Sequence, residues 1–98
     1  MTELTLQEAE VIAQREIDSI GTPGEMVVDR KRTQTRAFGW LFWAETKRFL
    51  ETGDSRHRIP GVGILAVERS SGIATFLSTA LPPEKAIQAY VEGLSKTR

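Results

Sequence analysis

The sequence predicts an α+β fold: an N-terminal helix, a four-stranded antiparallel sheet and a C-terminal helix, with both helices packed on one sheet face. Three observations lead there. Apolar residues recur at helical spacing near both ends, at Leu6, Ala9, Ala13, Ile17 and Ile20 and again at Ala86, Ile87, Tyr90, Val91 and Leu94. Between them lie short apolar runs bounded by Gly, Pro, Ser and Asp, as strands are. The links between those runs are short, which favours antiparallel neighbours over crossovers. Residues 1–98 read as a single domain.

The first helix opens on Thr5-Leu6-Gln7-Glu8, a capping box in which the Thr5 hydroxyl accepts from the Glu8 amide while the Glu8 carboxylate reaches back. Gly21-Thr22-Pro23-Gly24 stops it near Ile20. Val11 lies off the apolar stripe and is either exposed or part of a contact. A first strand is expected to start at Met26-Val27-Val28 and to continue through a polar run as far as Arg36. That run carries Arg30, Lys31, Arg32 and Arg36, which suits a sheet edge where charge discourages pairing, or alternatively an anion site.

Gly39-Trp40-Leu41-Phe42-Trp43 opens the second strand, expected to run from Trp40 to about Lys47. Side chains alternate along a strand, so Trp40, Phe42 and Ala44 share one face and Leu41 and Trp43 the other. A strand apolar on both faces must be covered twice. The helices supply one cover, and the second face is either ordinary surface or a contact with a partner. Trp40 and Phe42 are assigned to the core. Residues 51–60 read as irregular because Gly53, Asp54, Ser55 and Pro60 disfavour helix and central strand alike. A third strand is expected over residues 62–69, a tight turn at Ser70-Ser71-Gly72, and a fourth strand over residues 73–79. Pro83 and Glu84 suit the first turn of the closing helix.

Composition narrows function mainly by exclusion. Thirteen basic and thirteen acidic residues cancel, so charge gives no reason to expect nucleic acid or an acidic membrane surface. Cysteine is absent, which removes disulfides and thiolate chemistry. No signal-like n-region and no run long enough to span a bilayer is visible, so a soluble, cytoplasmic protein is expected. His57, the only histidine, sits between Arg56 and Arg58 with only Asp54 as a nearby partner, and reads as an exposed loop residue. One histidine does not make a metal site. Gly61-Val62-Gly63 lacks a third glycine and a following helix, so it marks a bulge or close backbone approach, not a phosphate loop. Neither catalytic residues nor a cofactor are assigned, and the chain is not expected to be an enzyme.

Gly39-Trp40-x-Phe42, then Leu50-Glu51-Thr52-Gly53-Asp54, then Gly61-Val62-Gly63-Ile64 follow one another in an order that resembles the YrhB-like family of immunity proteins (immunity protein 35). The likeness continues through Val67-Glu68-Arg69 and Gly72 to Ser78-Thr79-Ala80. The chain departs from the family pattern at Val62 and Ile64, where Asn and Pro are usual, and at Ser78, where Gly is. The resemblance implies an antitoxin-like protein of a polymorphic toxin system, protecting its bacterial cell by binding a cognate toxin. On that reading the contact residues are Trp43, Phe49, Glu51, Asp54, Arg30 and Arg32, aromatic anchors with a charged rim. The plain alternative for Thr52-Gly53-Asp54 is a turn in which Asp54 caps local amides. A homodimer through the uncovered sheet face is a further possible partner arrangement. Two other functions compete: a chaperone-like or structural homo-oligomer using that face, and a small ligand-binding domain with a pocket between sheet and helices.

Overall fold

The structure, a computed structural model, describes residues 3–21, 25–57 and 63–96. The first helix, α1 (Leu6–Ser19), starts at the expected capping box: the Thr5 hydroxyl accepts from the Glu8 amide at 3.2 Å, and the Thr5 amide donates to the Glu8 carboxylate at 2.9 Å. Ala9, Ala13 and Ile17, spaced four apart, are its buried residues. The two alanines are small enough to bring the helix axis close to the sheet. Leu6 and Ile20, at the ends of the stripe, stay exposed, as does Val11. The stop signal at residues 22–24 lies outside the described residues.

The sheet comprises β1 (Met26–Val28), β2 (Gln34–Arg36), β3 (Gly39–Thr46), β4 (Ile64–Glu68) and β5 (Ala74–Phe76), in the order β1-β3-β4-β5 with β2 also paired to β3. All four pairings are antiparallel. A short helix α2 (Lys47–Thr52) follows β3, and α3 (Pro83–Lys96) closes the chain. The fold class is therefore α+β, as the sequence predicts, with five strands in place of four. The extra strand arises because the expected continuous strand over residues 26–36 is interrupted. Val28 pairs with Ala44 and Gln34 with Leu41, so residues 29–33 stand opposite only residues 42 and 43. The surplus is taken up by a 3-10 turn at Arg30–Arg32, which the Asp29 carboxylate caps by accepting from the Lys31 amide.

The helices do not share a face. Ala9, Ala13 and Ile17 of α1 pack with Met26, Val28, Trp40, Phe42, Ala44, Leu65 and Val67. Ala86 of α3, with Ile87 and Tyr90 beside it, packs with Leu41, Ile64, Ala66, Leu77, Phe38 and Trp43. These are the two alternating sets of β3 and β4, so the sheet is sandwiched between α1 and α3. The expectation of both helices on one face is corrected here, and the reason is apolar side chains on both faces of the two central strands. The sheet face expected to remain open for a second copy is covered by α3. Trp40 is 4% exposed, and Trp43 lies half-buried on the opposite face, as their spacing predicts. The rings of Phe38 and Tyr90 meet edge-on at 5.0 Å, and burial pushes the Tyr90 phenol above its ordinary pKa.

Two other boundaries differ. The expected start of the third strand at Val62 lies outside the described residues, and β4 begins at Ile64. β5 is shorter than the expected 73–79, although the Leu77 amide still donates to the Ile64 carbonyl at 2.9 Å.

Gly39 shows why the strand opens on glycine. A Cβ there would overlap the Val67 carbonyl oxygen and stand 2.8 Å from the Arg69 amide nitrogen. The Arg69 guanidinium lies 4.8 Å from the centroid of the Trp40 ring and donates to the Ala37 and Arg36 carbonyls at 3.0 and 3.2 Å. Cation–π attraction and two hydrogen bonds thus hold one arginine over the buried tryptophan.

The β1 edge is closed by a side chain. Val27 faces β3 with its backbone, and by alternation Met26 and Val28 turn theirs outward. The Gln14 amide of α1 donates to the Met26 carbonyl at 2.9 Å and accepts from the Val28 amide at 3.2 Å. Its other N–H goes to Asp18. One glutamine so supplies the bonds that a neighbouring strand would make.

Gly39→Ala is expected to destabilise the protein by at least about 2 kcal/mol, because rigid backbone surrounds the new methyl. Trp40→Ala should cost about 3–5 kcal/mol and Trp43→Ala less, since only the first is fully packed. Gln14→Leu should cost about 1–3 kcal/mol by leaving a strand carbonyl and amide unpaired. Denaturant unfolding measures all four, and light scattering should reveal association beyond that of the unaltered protein in the Gln14 variant alone.

Candidate partner-binding surface

Thr46, the last residue of β3, is buried and organises the corner where the candidate contact residues lie. Its hydroxyl accepts from the Phe49 amide at 3.0 Å, capping α2, and donates to the carbonyl of His57. One oxygen therefore joins the strand end, the helix start and the 3-10 turn at Ser55–His57. Gly53 ends α2 in the left-handed region with φ 72°, and its amide donates to the Phe49 carbonyl at 2.7 Å. This is the left-handed helix end that glycine adopts without steric cost.

Asp54 then locks the turn. Its carboxylate accepts from the Arg56 amide at 3.0 Å and from the Arg56 guanidinium, the shortest contact being 2.6 Å. The Asp54 carbonyl accepts from the His57 amide at 3.0 Å. The Arg56 side chain and then its amide hold the Asp54 carboxyl below its ordinary pKa, and the same pair raises the arginine. The corner presents Leu50, 40% exposed, and Glu51, with Phe49 half-buried beneath them. An apolar patch rimmed by charge results.

The six residues singled out from sequence do not form one patch. Phe49, Glu51 and Asp54 belong to this corner. Trp43, opposite Ile64, lies on the α3 face. Arg30 turns towards α1, where it makes a two-bond ion pair with Glu10 at 3.0 Å. Arg32 lies 3.4 Å from Asp29 and 3.6 Å from Glu45, both carboxylates being largely buried. These pairs support the structural reading of the basic run over the anion site. His57, expected to be exposed, is half-buried, and its main chain holds the turn. Among the described residues no three His, Asp or Glu side chains converge as metal ligands, and no helix is long and apolar enough to cross a membrane.

Sequence reasoning missed α2, and with it Thr46, Leu50 and Arg56. Its signal was present: a threonine at the start and a glycine just past the end bracket Lys47–Thr52. The aromatic strand preceding it drew the boundary too far along the chain.

A family model described as immunity protein 35 matches residues 7–92. The uncharacterized protein YrhB of Escherichia coli (strain K12) is 40% identical over 52 residues, which cover 53% of this chain and 55% of that protein. The matched segment thus spans about half the length of that relative. No solved structure matches the chain.

Thr46→Val should cost about 1–2 kcal/mol, from loss of the helix cap and of the bond to His57, and should speed amide exchange over residues 49–57. An NMR titration should place the Asp54 carboxyl below the ordinary aspartate range, with Arg56→Gln returning it towards that range. Because the folded value is the lower one, the pair's stabilisation is present above the unfolded aspartate pKa. It is lost as pH falls through the folded value.

Proposed function

Since the chain belongs to the immunity protein 35 family, we propose that it is an immunity protein that neutralises a cognate toxin by direct protein–protein contact, performing no catalysis itself. The observation that carries this reading is the family match, which runs from α1 almost to the end of α3 and so takes in every strand. The contact surface is the corner built on Thr46, with Phe49 and Leu50 as apolar anchors and Glu51 and Asp54 on the rim. Its supports are an exposed leucine next to a charge and a turn already held by side-chain bonds. A preordered loop loses little conformational freedom on binding. Action inside the cell that makes the toxin, in the cytoplasm, fits the same reading.

The chaperone-like reading rested on a second apolar sheet face. α3 now covers that face, which removes its motive. The grooves beside the helices mix charged, polar and aliphatic side chains. One of about 420 Å³, bounded by Arg36, Glu84, Ile87, Gln88, Val91 and Glu92, is a wide-open surface depression, unlike the enclosing cleft that buries most of a small ligand.

The test is a toxin encoded beside this chain, with toxicity and affinity both measured. Leu50→Ala combined with Glu51→Lys should weaken binding about 10-fold or more, equivalent to about 1.4 kcal/mol, and reduce protection. Thermal stability should barely change, because both side chains face solvent. Unchanged affinity and full protection by this variant would exclude the corner as the contact.

A further inference from the structure

The two edges of the sheet are built differently. At the β1 edge Gln14 satisfies the outward backbone, and the adjoining segment carries Arg30, Lys31, Arg32 and Arg36. At the other edge, β5 pairs with β4 through Thr75, while bonds at Ile73 and Leu77 fix the alternation. Ala74 and Phe76 therefore turn their amide and carbonyl groups away from the sheet. Among the described residues no side chain takes those groups as Gln14 takes the Met26 carbonyl and the Val28 amide. The surroundings are also apolar. From Ser70 to Pro83 the chain has no charged residue, in a protein where charged residues make up 27%. Ile73 is 61% exposed and Phe76 39%.

We propose that β5 is the interface between two copies of this chain, paired antiparallel about a two-fold axis through Thr75, so that the two sheets become one. Such an axis sets the residue on it opposite its own copy and every other residue opposite the one equally far on the other side of the axis. A charge on the axis would face its own copy, and the basic residues Arg30, Lys31, Arg32 and Arg36 of the β1–β2 side would crowd like charges near any such axis. The β5 edge escapes this, having no charge to oppose. Its register is self-complementary: Thr75 meets Thr75, and each bulky Phe76 meets the small Ala74 of the other copy. The outward amides and carbonyls of Ala74 and Phe76 then bond across the axis at both ends. Threonine pairs and aromatic contacts with small neighbours are favourable across strands. Because β5 is short, the contact is smaller than a permanent dimer interface, and the dimer forms in a concentration-dependent way. This contact is separate from the corner assigned to the toxin and stands without that assignment.

Sedimentation over a concentration series tests it on the full chain. The wild type should pass from monomer to dimer. Thr75→Lys and Thr75→Glu, each placing like charges on the axis, should each weaken the dimer by at least about 10-fold. An equal mixture of the two should restore association as a heterodimer. Amide exchange on the unaltered protein reads the same contact without a substitution: protection of Ala74 and Phe76 should rise with concentration, while that of Thr75, already bonded to β4, should not. A wild type that stays monomeric throughout overturns the proposal. So does a dimer indifferent to both substitutions, a mixture that fails to associate, or exchange at Ala74 and Phe76 that ignores concentration. A β5 edge protected only when toxin is added would likewise overturn it, by assigning the edge to a toxin strand.

Discussion

Strand β3 presents Trp40, Phe42 and Ala44 to α1 and Leu41 and Trp43 to α3, and neither set is stable in water. The rest of the architecture follows from satisfying that strand twice. β4 repeats the same pattern, with Leu65 and Val67 on one side and Ile64 and Ala66 on the other, which makes the two central strands a shared double-sided core. α1 can lie close because alanines line its buried face. α3 reaches its side through Ala86, Ile87 and Tyr90. Gly39 is the entry condition for all of this, since the backbone of β4 passes where any side chain at that position would lie. The aromatic strand can therefore begin only on glycine.

What was legible in the sequence was whatever depends on local periodicity. The capping box at Thr5, the buried stripe Ala9–Ala13–Ile17 and the opposite faces of Trp40 and Trp43 all follow from the 3.6-residue and two-residue repeats. The side of the sheet each helix takes is not a local property. It depends on the hand of the connections and on which apolar face is left after the first helix has packed. The demand for two covers was visible in Trp40 to Trp43, yet a second helix answers it as well as a second molecule does. The interruption at Arg30–Arg32 was hidden for a related reason. A polar run beside a strand gives no periodic signal, and the three-residue excess becomes visible only through pairing with β3.

The candidate site was legible in its chemistry and less so in its geometry. Glu51 and Asp54 were recognisable as a charged turn, and Asp54 does cap local amides as its type suggests. The ion pairs of Arg30 and Arg32 were not recognisable, because Glu10 and Glu45 are distant in sequence and reach them only through the fold. Thr46 was overlooked because its role lies in what its hydroxyl joins. A threonine at the end of a strand looks ordinary until the Phe49 amide and the His57 carbonyl are both seen to converge on it.

This corner is held differently from the core, and that bears on how it could bind. Within α2 and the turn after it no residue is fully buried. The segment rests instead on the Thr46 hydroxyl, the left-handed Gly53 and the Asp54–Arg56 pair. Hydrogen bonds between exposed groups contribute modestly to stability, while a buried hydroxyl that loses its partners costs more. Thr46 is therefore the dominant tie, and it is anchored in the strand that both helices cover. Local opening of the corner need not unfold the sheet, so the two can differ in stability. A partner that docks on Leu50 and Glu51 would meet a surface whose shape is set from beneath by one side chain, and whose charge is set from the side by one ion pair. Tightening the Asp54–Arg56 tie should improve recognition without altering the core, because both residues lie outside β3 and the Arg56 side chain is exposed.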